Sequence, residues 1–183
     1  MRQIEAVFID RDGTIGGTGH FIHPRKFQPY PYSIKAIRML EENQLRSFAL
    51  SNQHRISKGE ATLQDFEQEF NLFGLDDAFV CPHSSAAGCN CHKPRTGLLE
   101  KAATVHQLVL TKTAVIGEVG ATDMLAADKV GAYKILVRTG WGEKSLGKFR
   151  HTWKDTEPDY IALNLLEAVK WIIKYNNGMG NAL

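Results

Sequence analysis

Apolar positions along this chain fall into two kinds of run, and the two kinds alternate. Short continuous runs of Val, Ile, Leu, Phe and Ala at 4–10, 45–50, 77–81, 113–117 and 133–137 have the length and content of buried strands, and a shorter run at 160–161 reads as an edge strand. Between them, apolar residues recur at helical spacing. Ile34, Ile37, Met39 and Leu40 form one stripe that starts at Pro31 and Ser33 and ends near Asn43, and Leu63, Phe66, Phe70 and Phe73 form another within 61–73. Further helices are predicted over 97–106, over the small residues of 124–130 with Gly131 as a left-handed stop, and over 165–175, where Leu166, Val169, Ile172 and Ile173 share a face. Segment 16–31, punctuated by Gly and Pro, reads as a loop, and 138–157 as a long connection.

Strands that alternate with helices at this pace imply right-handed crossovers, and so an α/β fold with a central parallel sheet covered by helices on both faces. Ligands of such sheets sit beyond the carboxyl ends of the strands. Here the first strand runs into Asp10, the second into Ser51-Asn52-Gln53 and the fourth into Glu118, while the loop after the third reaches Lys93. Four loops can therefore converge on one pocket.

Composition narrows the picture. With 183 residues, 43% hydrophobic and 23% charged, the chain fits one domain over 1–178 with a frayed Asn- and Gly-rich tail at 179–183. A net charge of +2 argues for neither nucleic acid nor anionic membrane as partner, and no aromatic-basic cluster stands out, although the basic residues between 138 and 154 could form a local patch. No apolar stretch approaches the ~20 residues of a membrane helix, and no signal-peptide core precedes Ile4, so a cytoplasmic protein is expected. The cysteines are Cys81, Cys89 and Cys91, an odd number within one short stretch, which points to a metal rather than a disulfide framework.

The candidate chemistry starts at Asp10 and Asp12. Side chains alternate along a strand, so these carboxylates point the same way while Arg11 points opposite, and Gly13 lets the chain turn. Like charges sharing one small site need a cation or a shared proton. Taken singly, each candidate has a plain structural reading: Ser51-Asn52 a strand-end turn, Lys93 a surface lysine, Glu118 and Asp123 helix-start carboxylates. Cys81-x-His83 followed by Cys89-x-Cys91 offers three thiolates and one imidazole, the donor set of a closed, structural Zn²⁺ site, which would keep Lys93 aimed at the pocket.

As a set and in order, Asp10-x-Asp12-Gly13-Thr14, Ser51-Asn52, Lys93, and Glu118 with Asp123 resemble the four motifs of the haloacid dehalogenase (HAD) superfamily of phosphatases. The stretches 8–15, 51–53, 81–94 and 136–140 resemble the branch that holds the histidinol-phosphate and heptose-bisphosphate phosphatases. The resemblance implies a three-layer Rossmann-like HAD fold without a cap domain, since neither 14–51 nor 52–93 has room for one, and Mg²⁺-dependent hydrolysis of a phosphomonoester. By the same resemblance Asp10 attacks phosphorus to form an aspartyl-phosphate, and Asp12 acts as acid and then base. Asp10, the Asp12 carbonyl, Glu118 and Asp123 surround Mg²⁺, and Ser51, Asn52 and Lys93 contact phosphate.

Besides His54-Arg55, which replaces the small residues often seen after the Asn-Gln pair, three features depart from the family pattern. Glu118 stands where Asp is usual, one additional residue precedes Asp123, and His92 replaces an Arg before Lys93. An open pocket leaves specificity to loops 16–31, 53–60 and 138–157, whose His20, His23, Arg25, Lys26, Arg55 and Arg138 suit a second anionic group. The expected substrate is a small phosphorylated metabolite, such as a sugar phosphate or bisphosphate or histidinol phosphate. A polynucleotide end phosphatase and a non-catalytic binding protein are the alternatives.

Overall fold

A computed structural model describes residues 2–179, so the expectation for the tail lies, apart from residue 179, outside the described residues. Strands β1 (Ala6–Ile9), β2 (Arg46–Asn52), β3 (Asp77–Cys81), β4 (Thr113–Gly117), β5 (Tyr133–Val137) and β6 (Tyr160–Ala162) form one sheet in the order β3-β2-β1-β4-β5-β6, and every pairing is parallel. The helices are α1 (Ser33–Glu42), α2 (Leu63–Phe73), α3 (Gly97–His106), α4 (Leu125–Val130), α5 (Gly142–Leu146) and α6 (Leu165–Lys174). None is long and apolar enough to cross a membrane.

Alternation within β1 sends Val7 and Ile9 to one face and Ala6 and Phe8 to the other, and all four are fully buried. On one side Ile37, Leu40, Phe66, Phe70, Val169 and Ile172 pack α1, α2 and α6 onto the sheet. On the other, Leu98, Leu99, Ala102, Ala126 and Ala127 bring α3 and α4 against Phe8, Phe48 and Phe79. A strand covered on both faces has no polar position to spare, which is why β1 reads as a continuous apolar run. Each Val, Leu, Ile or Phe among them contributes about 1.5–3 kcal/mol by its burial.

The register places the site. Ile9 lies opposite Ala49 of β2 and Ile116 of β4, so Asp10, just past the end of β1, stands level with Leu50 and Gly117, while β2 runs two residues further to Asn52. Strand order reverses between β1 and β4, the position at which such sheets open a crevice. Among the described residues the two segments beside it are short: 14–32 holds a 3-10 turn at Pro24–Lys26 and a Gly16–Pro29 bridge, and the chain between β2 and β3 holds the turn Ile56–Lys58 and α2.

Two segments depart from the pattern read in the sequence. The predicted helix at 124–130 is preceded by a π turn, Gly120–Met124, whose wider loop absorbs the additional residue ahead of Asp123. The connection 138–157 contains α5 and a 3-10 turn, Arg150–Trp153. Five residues with only Leu146 as a large apolar group carry no period, and tertiary contacts hold α5 instead. Ser145 Oγ donates to the Glu118 carbonyl (2.8 Å) and accepts from the Gly120 N–H (3.3 Å), and Trp153 Nε1 donates to the Ser145 carbonyl (3.0 Å).

Candidate active site

Asp10, Asp12, Asn52, Lys93, Glu118 and Asp123 line one cavity of about 210 Å³ at the carboxyl end of the sheet, together with Gly19, Phe21, Gln53, His54, Val119 and Thr122. Larger concavities lie along α2 (about 530 Å³) and at the opposite end of the sheet (about 260 Å³), but each is lined by a single carboxylate and no cation.

Lys93 is buried at the centre of the acids. Its Nζ donates to Asp10 Oδ1 (2.8 Å), Asp123 Oδ1 (2.6 Å) and the Leu50 carbonyl (2.7 Å), which uses all three ammonium protons. Burial opposes the charge, yet Asp10 and Asp123 outweigh it and the ammonium pKa is raised. Asn52, expected on phosphate, spends its amide on the backbone of Lys93: Oδ1 accepts from Lys93 N–H (3.0 Å) and Nδ2 donates to Lys93 C=O (3.2 Å). Ser51 sits beneath the cavity floor rather than in its lining, and its Oγ accepts from Gln53 Nε2 (2.8 Å). Asp123 is fixed from both sides, since its second oxygen accepts from the Val119 N–H (3.0 Å).

Glu118 is housed by two glycines. A Cβ on Gly13 (φ +83°) would lie 2.9 Å from Glu118 Cδ, and one on Gly140 (φ +56°) would lie 2.6 Å from Gly13 Cα. Thr139 Oγ1 donates to the Gly13 carbonyl (2.6 Å), and the Trp141 N–H donates to the Glu118 carboxylate. The methylene by which Glu exceeds Asp is therefore accommodated by the β5–α5 turn.

Asp10, Asp12, Glu118 and Asp123 face one lysine in this cavity. Burial pushes Asp10 up to about 7 against the pull of Lys93, and pushes Glu118 up to about 9, with repulsion from Asp10 and Asp123 added. Asp12 is also raised by burial, against Arg11 and Gln53. Excess carboxylate oxygen around a small polar cavity is the donor set that Mg²⁺ favours, so the residues present fit such an ion.

Two members of the site were not among the expected residues. Gln53 Nε2 donates to Asp12 Oδ2 (2.6 Å), and Arg11, wholly buried, donates from Nη1 to Asp12 Oδ1 (2.6 Å) and from Nε and Nη2 to Glu69 (2.6 and 2.8 Å). Asp10 and Asp12 do share the cavity. Arg11 nevertheless does not stay on the opposite side, because β1 ends at Ile9 and the Gly13 turn brings Asp12 within reach of its guanidinium. The signal in the sequence was Glu69, a charge inside the apolar stripe of α2 beside Phe66 and Phe70.

The Sγ atoms of Cys81, Cys89 and Cys91 and a ring nitrogen of His83 lie within 4.8 Å of one another. Cys81 Sγ is 3.7 Å from Cys89 Sγ and 3.2 Å from Cys91 Sγ, and His83 Nδ1 is 3.2 Å from Cys91 Sγ. Ligands at Zn–S ≈ 2.3 Å in a tetrahedron stand about 3.8 Å apart, so the cluster has the size of such a site. His92 turns toward it, with Nδ1 3.8 Å from Cys81 Sγ.

The cations expected to serve a second anionic group are largely engaged elsewhere. Arg55 pairs with Glu60 (2.9 Å), Arg138 with Glu143 (2.8 Å) and Arg25 with Asp65 (3.7 Å), and His20 stands edge-on to Trp141 (5.2 Å). His54 and Phe21 line the cavity instead. The expected lack of an aromatic-basic cluster is corrected: Lys144, Lys148 and Arg150 lie 4.2, 5.5 and 4.1 Å from the ring centroids of Trp141, Phe149 and Trp153. These pairs stand one to three positions apart within the basic stretch 138–154, and Trp153 among them is buried.

A HAD-hydrolase-like family model matches residues 90–168. The chain is 32% identical to a D-glycero-D-manno-heptose-1,7-bisphosphate 7-phosphatase of Thermosynechococcus vestitus, over 91% of this chain and 94% of the relative. It is 28% identical to the D-glycero-beta-D-manno-heptose-1,7-bisphosphate 7-phosphatase of Helicobacter pylori J99, over 92% and 97%. In fold it is similar to the crystal structure of the D,D-heptose 1,7-bisphosphate phosphatase of B. bronchiseptica complexed with magnesium and phosphate, with a TM-score of 0.80 at 23% identity over 94% of this chain and 99% of that one. A phosphomonoester hydrolase on a Rossmann-like sheet, this chain belongs to the HAD superfamily of phosphatases, among those of the heptose-bisphosphate type.

Proposed function

We propose that this phosphatase acts on a small phosphorylated sugar, a bisphosphate such as its relatives' names describe, with Asp10 as nucleophile and Asp12 as general acid and base. The observation that carries the reading is the convergence of Asp10, Asp12, Lys93, Glu118 and Asp123 on one cavity of about 210 Å³. An Asp10 oxygen bonds to phosphorus as the bond to the leaving alcohol breaks, and Asp12 gives the departing alkoxide oxygen its proton. Water then attacks phosphorus, the Asp10–phosphorus bond breaks, and Asp12 takes the water's proton, which restores both carboxyl groups. Lys93 offsets charge beside Asp10 and Asp123, and Asn52 fixes its backbone.

Asp10, the backbone carbonyl of Asp12, Glu118 and Asp123 would hold Mg²⁺, which when bound supplies the positive charge that lets a carboxylate approach a phosphate. The B. bronchiseptica structure with magnesium and phosphate supports that cofactor. Cys81, His83, Cys89 and Cys91 would hold structural Zn²⁺ and pin the loop that presents Lys93. Reduced thiols of this kind suit a cytoplasmic location.

The test is phosphate release over a panel of sugar phosphates, sugar bisphosphates, histidinol phosphate and 3′-phosphorylated oligonucleotides, with and without Mg²⁺. Sugar bisphosphates are expected to give the highest kcat/KM, with Mg²⁺ required. Preference for the oligonucleotide would overturn the substrate class, and no release from any compound by metal-loaded protein would overturn the catalytic reading. Asp10→Asn should abolish turnover while the melting temperature is retained.

A further inference from the structure

Arg11 makes more contacts with charged and aromatic groups than its place between two catalytic-site aspartates requires. Its guanidinium is fully buried, and its Cζ lies 3.8 Å from the ring centroid of Phe27 and 5.0 Å from that of Phe66. Nε and one Nη2 proton grip the two oxygens of Glu69, itself buried on α2, at 2.6 and 2.8 Å. The other Nη2 proton goes to the Ile22 carbonyl (2.8 Å), which fixes the loop that carries Gly19 and Phe21 to the cavity. Nη1 remains, and it meets Asp12 Oδ1 at 2.6 Å.

Burying a guanidinium is costly, and Glu69 alone would satisfy its charge. The planar fork explains the third contact: with Nε and Nη2 locked on Glu69, Nη1 has a fixed direction, and that direction is occupied by Asp12. From the other side Gln53 holds Asp12 Oδ2, and Gln53 is itself held on Ser51 Oγ. Each oxygen of Asp12 is thus aimed by a donor that another residue holds in place. Asp12 must deliver a proton to the leaving oxygen and later take one from water at nearly the same point, and a carboxylate free to rotate would do so in only a fraction of its rotamers.

We propose that Arg11, clamped by Glu69, is the positioning residue that orients Asp12 for proton transfer, so that a salt bridge to α2 sets the rate of both proton-dependent steps. The inference rests on the role of Asp12 proposed above. Arg11 touches no reacting atom and acts only through Asp12.

A leaving group that needs no proton separates this role from a structural one. With p-nitrophenyl phosphate, cleavage of the phosphorus–oxygen bond releases a stable phenolate without help from Asp12, whereas hydrolysis of the aspartyl-phosphate still needs a base. Stopped-flow measurement on Mg²⁺-loaded Arg11→Met is expected to show a stoichiometric burst of p-nitrophenolate followed by turnover slowed on the order of 10²-fold, the range that general acid–base catalysis supplies. With a sugar phosphate the burst of alcohol should be lost, with little change in KM. Arg11→Lys, which cannot span Glu69 and Asp12 together, should show the same pattern and serves if the Met variant fails to fold.

Asp12→Asn is the reference, because the proposal requires the Arg11 variants to mimic it. Equal loss of burst and turnover in a folded Arg11 variant, or turnover like that of the wild type, would overturn the positioning role. Full sugar-phosphate turnover by Asp12→Asn would instead overturn the role of Asp12, and absence of any burst in both Asp12→Asn and wild type would count against the aspartyl-phosphate itself.

Discussion

Replacing Lys93 with Met keeps the length of the side chain and removes the one ammonium that faces four carboxylates. Its Nζ sits 2.8 Å from Asp10 and 2.6 Å from Asp123, and at an effective dielectric near 20 each contact is worth roughly 6 kcal/mol before desolvation is charged against it. Net of desolvation, loss of one partner of a buried pair costs about 3–5 kcal/mol. For 183 residues unfolding with about 2.1 cal/mol/K per residue, that lowers the melting temperature by about 8–13 °C.

The loss depends on pH. Asp10 and Glu118 have folded-state pKa values raised to about 7 and about 9, so the folded state holds protons that the unfolded chain has released. The stability these groups contribute is complete below their ordinary values near 4 and is lost as pH rises through 7 and then 9. Lys93 opposes the rise at both groups, so its removal should cost more near pH 9 than near pH 5, where its pairing with Asp123 is still lost. Differential scanning calorimetry of both proteins from pH 5 to 9 in Mg²⁺-free buffer is the assay. Mg²⁺ should stabilise the wild type more at pH 9 than at pH 6, because binding must displace protons at the lower pH. Equal melting temperatures for Lys93→Met and wild type at pH 9 would refute the account of the lysine as counter-charge.

Cys89→Ser should lose stoichiometric zinc by elemental analysis and speed amide exchange across 82–96, and unchanged metal content would count against the four-residue site. Glu118→Asp, although it installs the acid usual in the family, should weaken Mg²⁺ binding by calorimetric titration and cost about 1 kcal/mol or more in urea unfolding, since the shorter carboxylate withdraws from the Trp141 N–H; tighter binding would overturn this. Gly140→Ala places a methyl 2.6 Å from Gly13 Cα at φ +56°, so a loss of about 2 kcal/mol or more is expected by denaturant unfolding, and a neutral effect would refute the close approach.

The parts of this molecule that could be read from the chain are those whose cause is local. β3, β4, β5 and α3 begin and end where the apolar runs and turn residues say they should, because a doubly covered strand tolerates no polar interruption. The convergence of Asp10, Lys93 and Glu118 followed from strand ends alone, once parallel order placed their loops at one edge. What was missed has distant causes. α5 is held by Ser145 and Trp153 rather than by any stripe, and the bonds of the Asn52 amide to the Lys93 backbone form because the third loop comes down beside it. The pairing of Arg11 with Glu69 spans 58 positions, and no window on the sequence contains both.

The substitution at 118 shows why a motif read as residue types says less than the same motif read as contacts. As letters, Glu for Asp is a longer acid and a reason to doubt the site. In the fold, the same residue comes with a glycine at 13 in a left-handed turn, a second glycine at 140 pressed against the first, a Thr139 hydroxyl on the Gly13 carbonyl, and a backbone N–H at 141 directed at the carboxylate. These contacts join the loop after β1 to the loop after β5 across the strand between them, so the acid is held by its neighbours' backbone rather than by its own strand. A glutamate has an additional rotatable bond and would ordinarily be the looser ligand. Here that freedom is removed by groups that cannot rotate, and the cavity presents a glutamate carboxylate in a single fixed position.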